Sequence, residues 1–456
     1  MRKQLLSILA LLCLTVSSAW AAPDVIGSGT TGDVTWTLTD DGVLTISGTG
    51  NMGDCTWDDC PWSAYWNDIT DIVIGDGLTT INEGAFAYCY SLTTLNIPNS
   101  VTSIGESAFY GCGLTTLNIG SGVTTIGDYA FEGCGNLTYI TVSGGTYFKS
   151  VNNVLFTFDG KILIQYPIGS TATSYVIPDC VETIGVSAFE YSELSDVTIP
   201  NGVTTIGDCA FFNCVDLKEV TIPNSVTTIG DDAFAACENL TTVTLNSNPY
   251  IGYNAFDIDG NGTTPAVTMN LTANAAGGAK WMTFCNTYGN FQADANTQVF
   301  QAELVGSTLT LREIDDKIVN AWEAVILKSS GNPVMTLTTE DSSDPYGYNS
   351  LAGVSDPDGR DNDGNLFVLN NGTNGVGFYK LAASKTTLEY GKACLWYDGA
   401  LAPSFLGFDE TTGINAVNGS ESMVNGSDIY NLNGQRVAQP TKGLYIVNGK
   451  KVVINK

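Results

Sequence analysis

The chain has 456 residues, 43% apolar and 14% charged, with 50 glycines and a formal charge of −29, which fits two or three β-rich domains. So acidic a surface repels phosphate backbones and anionic lipid, which excludes nucleic acid as a partner. Histidine is absent, so Ser-His-Asp and Cys-His catalysis and every histidine metal site are excluded in one step, while a carboxylate pair drawn from 47 acidic residues identifies no hydrolase.

Residues 1–21 read as a signal peptide. Arg2 and Lys3 precede the apolar run Leu5 to Val16, and Ala19-Trp20-Ala21 offers a small-x-small cleavage site. The apolar run is shorter than the roughly 20 residues a span needs, so no transmembrane segment is expected after its removal. Removal also takes away Arg2 and Lys3 and leaves the mature chain more acidic still.

Residues 22–71 are expected to form an N-terminal β cap. VTWTLTDDGVLTISGTG alternates apolar and polar residues around Asp41-Gly42, a dipeptide suited to a tight hairpin. Trp57, Trp62 and Trp66 can cover the open end of a stack, or alternatively hold a sugar ring. Cys55 and Cys60 flank a loop-like stretch, where an oxidising compartment would let them form a disulfide.

From 72 to 270 one phrase returns, V-x-x-I-G-x-x-A-F-x-x-C-x-x-L-x-x-V-x-I-P. Phe86, Phe109 and Phe131 are 23 and 22 residues apart, and Phe189, Phe211, Phe234 and Phe256 are 22, 23 and 22 apart, a solenoid period. Leu92, Leu95 and Ile97 alternate with Thr94 and Asn96, as in a strand with one buried face. One copy cannot offset the entropy of ordering itself, so each coil must stack on its neighbours. Stacking places Ile97, Ile119, Val142, Ile177, Ile199, Ile222 and Leu245 in an inner ladder, with Gly105, Gly127, Gly185, Gly207 and Gly230 at the recurrent corner. Cys89, Cys112, Cys134, Cys214 and Cys237 share one repeat position, with Ser192 in the missing place. They read as a buried ladder of small apolar side chains, whose parallel directions argue against bridging.

A longer step interrupts the period near 146–172, where VLFTFDGKILIQYP holds two β-rich runs joined by Asp159-Gly160. A hairpin insertion is expected there, with Phe156, Phe158, Ile162, Ile164 and Tyr166 packed back on the coils. The outward strand positions are the candidate protein-binding surface: Thr94, Asn96, Thr116, Asn118, Tyr139, Thr141, Asp196, Thr198, Glu219 and Thr221. Exposed threonines are also simply good β formers on a wet face. Solenoid sheets, however, engage macromolecules without a deep pocket. Asp257 to Gly262, DIDGNG, starts like a calcium loop, but Thr268 stands where a bidentate Glu is required, so a turn is expected.

The I-G-x-x-A-F-x-x-C block and the strand ending in I-P resemble the BspA-type leucine-rich repeats of bacterial surface proteins. That resemblance implies a curved solenoid and, for some members, adhesion to host proteins. Residues 275–408 alternate apolar and polar runs between Gly, Asn and Asp turns and predict an all-β, sandwich-like domain. Residues 411–456 predict a small C-terminal β unit, with Asn433-Gly434 and Asn448-Gly449 as turns. Its Lys442-Gly443-Leu444-Tyr445 and Lys451-Val452-Val453 resemble the sorting domain of type IX secretion substrates.

The expected fold is therefore β-rich: a leucine-rich-repeat solenoid, then the all-β domain and the small β unit. The expected function is a secreted or cell-surface interaction protein, an adhesin for host matrix or plasma protein or another microbe. A glycan-binding surface protein is the alternative. No enzyme activity, catalytic residue, cofactor or metal is expected.

Overall fold

Each coil is built from two short strands and a tight corner, and the repeated phrase dictates both. The computed structural model describes residues 22–340 apart from 54–56, 273, 277–278, 306–307 and 322, then Ser342 and strand segments between Leu351 and Ile454. The leader expected at 1–21 and Cys55 lie outside the described residues. Among the described residues the helical pieces are two three-residue 3-10 turns, Trp57–Asp59 and Ser63–Tyr65. Everything else regular is β structure, as expected. The chain divides into two compact units, residues 1–159 with 167–170, and residues 160–166 with 171–456.

The first unit opens with antiparallel strands Val25–Thr31, Val34–Thr39 and Val43–Gly48. Gly42 takes φ +85° in the turn between the last two, and its N–H donates to the Thr39 carbonyl. Val43–Gly48 then pairs in parallel with Asp71–Ile74, which converts the cap into the first coil. The longer strands of the coils, Thr94–Asn96, Thr116–Ile119 and Tyr139–Val142, stack in parallel and in register. On another side of the coils Leu78–Ile81, Ser103–Ile104 and Thr125–Ile126 form a second parallel ladder. Parallel in-register stacking follows from the repeat itself, since each residue then meets its own counterpart one coil away.

The core of this unit is a stack of rings. Trp62, Phe86, Phe109 and Phe131 follow one another with centroids 5.5, 5.5 and 5.8 Å apart, all buried. The A-F dipeptide makes this work on both sides of the chain. The ring fills the interior, while the Phe86 and Phe109 N–H groups donate to the carbonyls of Ala108 and Ala130 one coil on. Trp62 ends the row of stacked rings and its Nε1 donates to the Ala85 carbonyl at 2.8 Å, while Trp57 and Trp66 pack against Tyr88 with centroids 5.8 and 5.4 Å apart.

The insertion forms an antiparallel hairpin, Phe148–Val151 with Val154–Thr157. It turns at Asn152-Asn153, both with positive φ (52° and 66°), and Gly160 of the expected Asp159-Gly160 turn also takes positive φ (82°). Two Asn residues in the left-handed region suit a primed turn, which matches strand twist as well as Asp-Gly does. Val154, Leu155 and Phe156 are buried, whereas Phe158 is exposed. The Ser150 hydroxyl donates to the Ile140 carbonyl, which ties the hairpin back to the coils of this unit.

The second unit repeats the plan. Ile162–Gln165, Thr183–Ile184, Thr205–Ile206, Thr228–Ile229 and Tyr250–Ile251 form one parallel ladder. On another side of the coils Ser174–Val176 pairs with Asp196–Thr198, and Glu219–Ile222 with Thr242–Leu245 and then Ala266–Asn270. Tyr166, Phe189, Phe211, Phe234 and Phe256 stack at 5.1, 4.9, 4.9 and 5.6 Å. The last repeat strand does not end the sheet: Ala266–Asn270 pairs antiparallel with Val334–Thr338. The edge that parallel stacking would leave open is thereby covered by the following domain. Residues of two further sheets, among them Trp281, Ala302 and Ile326 from one and Phe367, Phe378 and Leu395 from the other, pack into a single core, as in a sandwich. The C-terminal strands Ile429–Asn431, Gly443–Val447 and Lys450–Ile454 form a three-stranded antiparallel sheet.

The inner ladder holds at Ile97, Ile119, Ile177, Ile199, Ile222 and Leu245, all buried, whereas Val142 is only half-buried. The corner glycines are required by the neighbouring coil. A Cβ on Gly105 or Gly127 would meet backbone of the previous coil at 2.5 Å, so glycine is there for close approach of coils. The left-handed residue comes two positions later, at Ser107, Tyr129, Ser187, Cys209, Asp232 and Asn254.

Candidate interaction surface

The parallel strands turn alternate residues outward. In the first unit Leu95, Leu117 and Ile140 point in and are fully buried. Thr94 and Asn96, Thr116 and Asn118, and Tyr139 and Thr141 flank them on the outer face. Register sets Thr94 opposite Thr116 and Thr116 opposite Tyr139, with Asn96, Asn118 and Thr141 forming the neighbouring row. That second row is hydrogen-bonded from coil to coil. Asn118 Nδ2 donates to Asn96 Oδ1 at 2.7 Å, and the Thr141 hydroxyl donates to Asn118 Oδ1 at 2.5 Å. Tyr139 stands beside this fixed row with 59% of its surface exposed.

In the second unit Val197 and Val220 point inward, while Asp196, Thr198, Glu219 and Thr221 are exposed. Asp196 faces Ser174 and Thr198 faces Val176, and Glu219 and Thr221 face Thr242 and Thr244. Val176, 68% exposed, adds an apolar spot that the choice of site residues passed over. Its outward register was the signal that marked it. Other threonines that the repeat supplies belong to the scaffold. The hydroxyls of Thr102, Thr115, Thr124, Thr138, Thr204 and Thr227 each donate to a carbonyl one coil back.

The cysteine ladder is scaffold as well. The Cys112, Cys134, Cys214 and Cys237 thiols donate to the carbonyls of Phe86, Phe109, Phe189 and Phe211. Burial pushes the Cys134 thiol up to about 12 and raises Cys112 well above its ordinary value. The buried, protonated thiols of Cys112 and Cys134 are poor nucleophiles and poor metal ligands. Cys60 is in a disulfide, and its expected partner Cys55 lies outside the described residues.

The DIDGNG stretch is a turn held by its own carboxylates. Asp257 Oδ1 accepts the Gly262 N–H, and Asp259 Oδ1 accepts the Asn261 N–H. The Thr263 hydroxyl on Asp259 Oδ2 helps hold that carboxyl below its ordinary range. In the C-terminal domain the buried Glu323 is likewise engaged, by the Gln301 amide at 2.6 Å and the Asn320 N–H at 3.2 Å. Among the described residues no three His, Cys, Asp or Glu side chains converge to hold a metal.

Recurrent Phe, Cys and Ile positions on coils of 22 or 23 residues, with parallel strands on two sides, define a leucine-rich-repeat solenoid of the all-β kind. The BspA type leucine rich repeat model matches residues 63–164 and 168–271 in six copies, and the chain belongs to that family. Solved structures similar to it include a leucine-rich repeat protein from Eubacterium ventriosum, 31% identical over 50% of this chain and 75% of that one (TM-score 0.39). Another is a leucine rich cell surface protein from Faecalibacterium prausnitzii, 24% identical over 52% and 93% (TM-score 0.36). A third is the pneumococcal vaccine antigen PcpA, 19% identical over 52% and 86% (TM-score 0.32). No curated protein matches the chain.

Proposed function

We propose that the protein is an exported, surface-displayed adhesin that binds host extracellular proteins, or proteins of another microbe, through the outward rows of its repeat strands. The observation that carries this reading is the Asn96–Asn118–Thr141 row, hydrogen-bonded from coil to coil beside the exposed ring of Tyr139. Side chains fixed before a partner arrives lose little entropy on binding, and an exposed tyrosine is a frequent anchor at protein interfaces. Asp196 and Glu219 give the second unit an acidic row, suited to a partner with a basic patch. The leader at 1–21 supports export, and the tail pattern at 411–456 supports type IX sorting.

The test is capture of the chain from residue 22 to 456 on immobilised matrix and plasma proteins and on bacterial cells. Tyr139→Ala and Glu219→Lys should each weaken capture by on the order of tenfold. Glu219→Lys should also weaken the dependence on salt. Capture unchanged in both variants would remove the rows from the account.

A further inference from the structure

Among the positions at which the last coil departs from the repeat, two carry tyrosines, and both line one cleft. Where the coil before it has Thr228 and Asp231, this coil has Tyr250 and Tyr253. Register sets Tyr250 opposite Thr228. The Tyr253 N–H donates to Asp231 Oδ1 at 2.7 Å, as the Asp231 N–H donates to Asp208 Oδ1 at 2.9 Å. The backbone pattern of the repeat is therefore intact, and only the outward side chains have changed from small or acidic to aromatic.

The cleft measures about 560 Å³ and is walled on its other side by Thr287, Tyr288 and Thr338 of the following domain, within the roughly 300–1,000 Å³ of small-ligand sites. Tyr288 is anchored twice. Its ring meets Phe256 edge to face at 5.7 Å, and its hydroxyl accepts the Phe256 N–H at 3.2 Å. Tyr253 is 74% exposed, so its ring face is open to solvent. Asn254, whose side chain also bonds Asp232, and Asp257, whose Oδ1 accepts the Gly262 N–H, line it with an amide and a carboxylate, and among the described residues no lysine or arginine lines the cleft.

We propose that this cleft binds a neutral hexopyranose unit of a glycan, with one face of the sugar against Tyr253 and its hydroxyls bonded by Asn254 and Asp257. A pyranose has apolar C–H faces and a rim of hydroxyls that both donate and accept. Aromatic faces suit the former, and an amide beside a carboxylate suits the latter. Anionic ligands are disfavoured, since Asp257 lines the cleft without a cationic neighbour in the lining. The site shares no residue with the outward strand rows, so its failure and the failure of the adhesin reading are separable.

The test is titration calorimetry of the chain from residue 22 to 456 with cellotriose, mannotriose and N-acetyllactosamine, and with sialyllactose as the anionic probe. At least one neutral probe should bind and sialyllactose should not. Tyr253→Ala should weaken binding by on the order of tenfold, while Tyr253→Phe, which keeps the ring, stays within about twofold of wild type. Tyr139→Ala, on the strand rows, should bind the sugar as wild type does. Silence from all three neutral probes, binding of sialyllactose alone, or full binding by Tyr253→Ala would overturn the proposal.

Discussion

The Cys134 thiol lies 3.3 Å from the carbonyl oxygen of Phe109 and donates to it. The same relationship joins Cys237 to Phe211 in the second unit, so in these coils a sulfur ties the wall of a coil to the chain beneath it. A side chain used in this way should be chemically silent. Cys112 and Cys134 are fully buried and their thiols are raised, whereas Cys180 is exposed. Labelling of the native protein with iodoacetamide should therefore modify Cys180 rapidly and leave Cys112 and Cys134 unlabelled until denaturant is added. Peptide mass analysis after a timed pulse reads the difference.

The raised thiol also fixes a direction for stability against pH. Below the ordinary value of 9.0, both folded and unfolded chains hold the Cys134 proton, and its contribution is fully present. Between there and about 12 the unfolded chain gives the proton up while the folded chain keeps it, so stability falls as pH rises. Tyr175 and Tyr288, raised by burial from 10.0 to about 12, act in the same sense. Thermal midpoints should decline above about pH 9 and should decline less steeply in Cys134→Val.

The ring stack should dominate the stability of each unit. Phe211 lies between Phe189 and Phe234 at 4.9 Å from each and is fully buried. Phe211→Ala should cost about 3–5 kcal/mol, seen as a drop in the denaturant midpoint with little change in slope. Trp57, half-buried at the edge of the cap, should cost clearly less when replaced by alanine.

One strained position offers a gain instead. Ala236 has φ +56°, where Gly111 and Gly133 stand at the same repeat position with φ +67° and +69°. A left-handed alanine is disfavoured by about 1–2 kcal/mol. Part of that is returned when glycine adds freedom to the unfolded chain. Ala236→Gly should stabilise the protein by about 0.5–1 kcal/mol, measurable by chemical denaturation.

The repeats were legible because a period leaves the same residue at the same place: Phe86, Phe109 and Phe131 stack as their spacing required. So were the outward rows, since strand alternation decides which side chains leave the core. What escaped depended on geometry that sequence distance hides. The turn at Asn152-Asn153 went unmarked, because two left-handed Asn residues serve as well as the Asp-Gly dipeptide of Asp159-Gly160. The glycine after each Ile marks the corner in the sequence, but that backbone of the previous coil forbids a side chain there is visible only in three dimensions. Pairing of Thr268 with Thr336, and the cleft that joins Tyr253 to Thr338, bring together residues far apart in the chain that no repeat pattern could connect.

Hydrogen exchange of the chain from residue 22 to 456, with and without a protein that it captures, tests the central claim most directly. The account predicts added protection in the strands Thr94–Asn96, Thr116–Ile119 and Tyr139–Val142, or in Asp196–Thr198 and Glu219–Ile222. Protection confined to Leu78–Ile81, Ser103–Ile104 and Thr125–Ile126, or to the C-terminal domain, would contradict it.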